Sequence, residues 1–133
     1  MAEGLAPDST SPAPAPVVML VAPDRELADL VRDALLPEGF EVVWARSPDA
    51  AGQQLAEHLP DLLLLDVEHG SLADTTRMLA RMGAATLPLV LLVGPRLPTV
   101  SGNARLAGWL AKPFSVAELV ATVRRVTGAR STD

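Results

Sequence analysis

The chain contains no cysteine, which excludes a disulfide framework and any thiolate metal centre and favours a cytoplasmic setting. A surplus of positive charge is also missing: 11 Lys and Arg stand against 16 Asp and Glu, for a formal net charge of −5. Sequence-independent nucleic-acid binding depends on neutralising phosphates with Lys and Arg, so no nucleic-acid partner is expected. Long apolar runs are lacking as well. Leu62 to Leu65 and Leu87 to Val93 fall far short of the roughly 20 residues that cross a bilayer. The first 16 residues have neither the basic cluster nor the apolar centre of a secretion signal, so no membrane partner is expected either.

What is present suits one domain. A length of 133 residues with 49% hydrophobic content supports a single sizeable core. Residues 1–16 alternate Ala and Pro from Ser11 to Pro16 and read as a disordered Pro/Ala-rich tail. Residues 17–128 read as the domain, and residues 129–133 as a short C-terminal tail.

Within the domain, short apolar runs alternate with segments of helical period. Val17 to Val21 is continuously apolar, as a strand buried on both faces should be. Leu27, Leu30, Val31, Ala34 and Leu35 then share one helical face, with Asp24 placed as N-cap and Pro37 and Gly39 as the stop. Phe40 to Ala45 reads as a second strand, Pro48 to about Glu57 as a second helix with Ala51 and Leu55 inward, and Leu62 to Leu65 as a third strand. Leu72, Thr75, Leu79 and Met82 mark a third helix, Leu89 to Val93 a fourth strand, and Trp109 to Ala111 a short fifth. Val116, Leu119, Val120 and Val123 mark a last amphipathic helix.

This alternation predicts an α/β fold: a doubly wound, five-stranded parallel sheet of flavodoxin-like order, since parallel strands need helical crossovers. Ligands of such sheets bind beyond the carboxyl ends of the strands. The candidate positions are therefore Ala22, Pro23 and Asp24 after the first strand and Asp66 to Gly70 after the third. Val93 to Pro95 follow the fourth, and Lys112 the fifth.

Two of these positions carry a resemblance. Asp61-Leu62-Leu63-Leu64-Leu65-Asp66 and Lys112-Pro113-Phe114 resemble the third strand and the fifth-strand turn of response-regulator receiver domains in two-component (phosphorelay) signalling. Gly39-Phe40-Glu41-Val42-Val43 before the second strand is similar too, and the likeness covers roughly Val17 to Gly128. Ten Arg and one Lys make up the basic residues, and that one lysine falls at the family's lysine position. The resemblance makes Asp66 the equivalent of the phosphoacceptor, Lys112 its ion-pair partner, Trp109 the switch aromatic and Pro113 a cis-proline candidate.

The departures are as specific. In the family the first strand ends in an acidic pair that helps to hold Mg²⁺; here those positions are Ala22 and Pro23, and Asp24, Asp66 and Glu68 are the weak metal candidates that remain. The fourth-strand Thr or Ser that takes a phosphoryl oxygen is Val93. Between Val93 and Lys112 the chain is shorter than in the family and is interrupted by Pro95, Pro98, Gly102 and Gly108, so a shortened or irregular fourth helix is expected. His69 and His58 read as loop and helix-end residues.

The resulting expectation is a receiver-like module without enzymatic activity and without a cofactor. It would bind a protein partner, such as a histidine kinase or an output protein, independently of phosphorylation, as a monomer or weak homodimer. One alternative is a working receiver phosphorylated on Asp66 with weakened Mg²⁺ binding. Another is a flavodoxin-like protein that binds a nucleotide or flavin, against which stands the lack of Gly, Ser or Thr in Ala22-Pro23-Asp24-Arg25.

Overall fold

A computed structural model describes residues 15–66, 77, 80, 87–94 and 106–128. Five strands, β1 (Val17–Val21), β2 (Glu41–Ala45), β3 (Leu62–Asp66), β4 (Leu89–Val93) and β5 (Leu106–Ala111), form one parallel sheet in the order β2-β1-β3-β4-β5. The described helices are α1 (Arg25–Leu35), α2 (Pro48–Leu55) and α3 (Val116–Thr127). Arg77 and Ala80, between β3 and β4, have helical backbone and exposed side chains. The readings on Leu72, Thr75, Leu79 and Met82, and on a fourth helix within 95–105, lie outside the described residues.

Successive strand residues point to opposite sides of the sheet, and the core divides accordingly. On one side Val18, Leu20, Leu62, Leu64, Val90 and Leu92 meet the inner faces of α1 and α3. On the other, Met19, Val21, Leu63, Leu65, Leu91 and Val93 meet Ala51 and Leu55 of α2. Every residue of β3 and β4 is buried, which is why both runs are apolar almost without interruption. Each such Leu or Val contributes roughly 1.5–3 kcal/mol relative to an exposed one.

The helix ends are set by short polar side chains. Asp24 Oδ1 accepts the Glu26 amide at 2.9 Å at the head of α1, and Ser47 Oγ accepts the Ala50 amide at 3.1 Å at the head of α2. Ser115 and Glu118 form a reciprocal capping box on α3, satisfying amides that have no partner within the helix. Gly39, with φ 94°, closes the turn after α1 in a conformation that side chains disfavour. Asp61 joins the amino ends of β1 and β3: its carboxylate accepts the Val17 amide at 2.8 Å, and its own amide donates to the Val17 carbonyl at 2.8 Å. Arg124 on α3 forms an ion pair with Glu38.

The structure corrects the sequence reading at several element ends and faces. β2 begins at Glu41, because the Phe40 amide is held by the Leu35 carbonyl at 3.2 Å. α2 stops at Leu55, where the amides of Glu57 and His58 both turn back to the Gln54 carbonyl. Leu30 and Val116 are 42% and 49% exposed rather than inward. β5 starts at Leu106, three residues earlier than expected, through a bulge: Leu89 pairs with Leu106 but Val90 with Gly108, so Ala107 is an extra residue. Arg125 reaches the Ala107 carbonyl at 3.5 Å, and a Cβ on Gly108 would lie 3.1 Å from the Arg125 guanidinium.

Candidate functional site

The carboxyl ends of β1, β3, β4 and β5 lie along one rim of the sheet, and the parallel register determines which side chains meet there. Asp66 ends β3 and is 1% exposed. Lys112 follows β5, with its amide held by the Val93 carbonyl at 2.8 Å. Two strand spacings, about 10 Å, separate β5 from β3, and the long lysine side chain spans β4 to reach the carboxylate. Lys112 Nζ stands 3.0 Å from Asp66 Oδ1; Asp66 Oδ2 is buried and accepts no hydrogen bond. The Lys112–Pro113 peptide is cis.

Beside this pair lies a cleft of about 100 Å³. Its walls are the end of β1 (Val21 to Pro23), the end of β3 (Leu65 and Asp66) and the turn from β2 into α2 (Arg46 to Pro48). Ala22 is buried among the apolar residues under α1, while Pro23 is exposed. Both backbone groups of Ala22 are tied to β2: its amide donates to the Ala45 carbonyl at 3.0 Å, and its carbonyl accepts the Trp44 indole N–H at 2.8 Å. The Arg46 guanidinium lies 5.2 Å from the centroid of the same indole, within cation–π range.

The other sequence candidates are dispersed. Asp24 is exposed and engaged as the cap of α1. Val93 is fully buried in the apolar cluster on the α2 side of the sheet. Trp109, the switch-aromatic position, pairs with Leu91 across β4 and β5 and is 51% exposed. Glu68, His69, Gly70 and Pro95 lie outside the described residues, and His58 is exposed beyond α2.

The described residues do not fit a divalent cation. Mg²⁺ requires an octahedron of hard oxygen ligands, usually including one or two carboxylates. The described cleft offers one carboxylate, already paired with an ammonium, between Ala22, Pro23 and a guanidinium. Among the described residues no three His, Asp or Glu side chains gather into a possible metal site.

Arg46 and Trp44 are the residues that sequence reasoning missed. The signal was available. Arg46 follows the carboxyl end of β2 just as Asp66 and Lys112 stand at the ends of theirs, so the crevice rule extended to the second strand points to it.

A parallel sheet in the order 2-1-3-4-5, with a buried Asp ending the third strand and a Lys after the fifth, defines a flavodoxin-like domain of the receiver type. Comparison with known proteins gives the same class. The chain is 35% identical over 114 residues to the transcriptional regulatory protein CpxR of Escherichia coli K12, covering 82% of this chain and 48% of that one. It is 35% identical over 115 residues to the phosphate regulon transcriptional regulatory protein PhoB of Rhizobium meliloti, covering 82% and 51%. Among solved structures, a putative response regulator from Chloroflexus aurantiacus superposes with a TM-score of 0.72 at 28% identity, covering 87% of this chain and 99% of that one. A CheY-like receiver domain protein from Methanospirillum hungatei superposes at 0.76 and 22%, covering 84% and 94%. No family model matches. The chain belongs with the receiver domains of response regulators in two-component signalling, and it spans about half the length of the curated relatives it matches.

Proposed function

We propose that this domain is a pseudo-receiver: a non-enzymatic signalling module that acts through protein–protein contact, without Mg²⁺ and without phosphorylation of Asp66. The observation that carries the reading is the composition of the cleft. The β1 end contributes a buried methyl and a proline ring, and the one carboxylate among the described lining residues is already bound to Lys112 at 3.0 Å. Phosphoryl transfer concentrates negative charge that the site must stabilise. Here that task would fall to Lys112 without a metal and without a hydroxyl at Val93.

The partner is a protein of the signalling pathway, a histidine kinase or an output protein. Trp109 on β5 and Val116 at the head of α3, each about half exposed, supply apolar contact area on that side of the domain. The second reading, a receiver phosphorylated on Asp66, draws its support from the retained Asp66–Lys112 pair.

Titration with Mg²⁺ and beryllofluoride, followed by NMR of the amides around Asp66 and Lys112 in the wild type and Asp66→Asn, separates the two. A flat response at millimolar Mg²⁺ is expected. Saturable shifts that require Asp66 and spread into α3 would establish the second reading in place of the first.

A further inference from the structure

We propose that the cleft between the ends of β1, β2 and β3 has reversed its charge preference and binds a small oxyanion of phosphate size. The inference rests on the pseudo-receiver reading, since a cleft that held Mg²⁺ would have the opposite preference. Its first support is the charge count. Of the described residues lining the cleft, Asp66 and Arg46 are the charged ones, and the Asp66 charge is matched by Lys112. Among the described residues the Arg46 guanidinium is therefore the uncompensated charge at the cleft, and it presents planar donors suited to oxyanions.

The second support is the way Arg46 is held. It stacks on Trp44, whose indole N–H is in turn fixed to the Ala22 carbonyl in the opposite wall. A guanidinium anchored in this way loses less side-chain freedom on binding than one on an unsupported chain. Ser47 stands next to it; its oxygen caps α2 by accepting the Ala50 amide, which leaves the hydroxyl hydrogen available to donate. Size is the third support. A volume of about 100 Å³ has room for roughly three waters, the scale of one tetrahedral anion and too little for a nucleotide. Asp49, exposed in the first turn of α2, opposes the effect from outside the cleft wall.

The test is an inorganic phosphate titration of the whole chain at constant ionic strength, with chloride as the matched control. The Trp44 indole N–H and the amides of Ala22 and Ser47 are followed by NMR. Saturable shifts are expected at these positions, weakened about tenfold by Arg46→Gln, as befits the loss of a charge-assisted donor. Asp66→Asn should strengthen phosphate binding, because it removes a negative charge at the floor of the cleft and releases the Lys112 ammonium. A cation site would respond to that substitution with the opposite sign. A phosphate response no greater than that of chloride, or indifference to Arg46→Gln, overturns the proposal. If Mg²⁺ is also without effect, the pseudo-receiver reading stands while this inference alone fails. Asp66-dependent Mg²⁺ shifts would overturn both.

Discussion

The crevice at the carboxyl end of the sheet has two flanks built on different principles. On the β3–β5 flank a buried carboxylate and an ammonium, 3.0 Å apart, satisfy each other across the intervening strand. On the β1–β2 flank the chain has Ala22 and Pro23, and its polar contacts are backbone groups and an indole. The first flank is stable with nothing bound, because each charge has its counter-charge within the fold. An acidic pair on the second flank would have to be neutralised by something from solution. An acidic pair there would thus bring a dependence on metal, whereas losing either member of the Asp66–Lys112 pair would leave a buried charge exposed to its own desolvation penalty.

That contrast is open to direct attack. The largest effect should come from Lys112→Met, which leaves Asp66 buried without its ammonium: a loss of about 3–5 kcal/mol, seen as a lower urea midpoint with an unchanged slope. A loss below about 1 kcal/mol would mean that the pair is solvated and the two flanks do not differ. The double change Ala22→Asp with Pro23→Asp should cost roughly 1–3 kcal/mol without metal, since it packs new carboxylates beside Asp66. Millimolar Mg²⁺ should then raise the melting temperature of this variant and leave that of the wild type unmoved. If Mg²⁺ stabilises neither, the acidic pair was not the missing component. The smallest effect is expected for Asp24→Ala, about 1 kcal/mol from the lost cap of α1, with the phosphate and Mg²⁺ titrations unchanged. A changed titration would show that Asp24 faces the cleft after all.

Much of this architecture was legible in the sequence because burial on both faces leaves an unmistakable apolar run. β1, β3 and β4 stood out for that reason, as did Asp66 and Lys112, whose neighbours Leu65 and Pro113 punctuate the strand ends. The start of β5 was not legible: Leu106-Ala107-Gly108 carries a bulge that breaks both the period and the apolar signal. Leu30 and Val116 misled in the other direction, since helical spacing assigns a face but says nothing of how wide a stripe the sheet covers. Arg46 was legible by its place after the second strand, but not its setting, which depends on a contact with Trp44 two residues away and on the bond from that indole to Ala22 beyond the end of β1. Local pattern contains neither.

The bulge at Ala107 has one further consequence. β5 is an outer strand of the sheet, and an outer strand in regular pleat is a template on which another chain can add hydrogen-bonded backbone. The extra residue disturbs the spacing of the amides and carbonyls along that border, and Arg125 draws the Ala107 carbonyl toward α3. A neighbouring chain aligning there would find its ladder out of step by one residue and a fixed positive charge close by. The irregularity thus disfavours the addition of a further strand along this border.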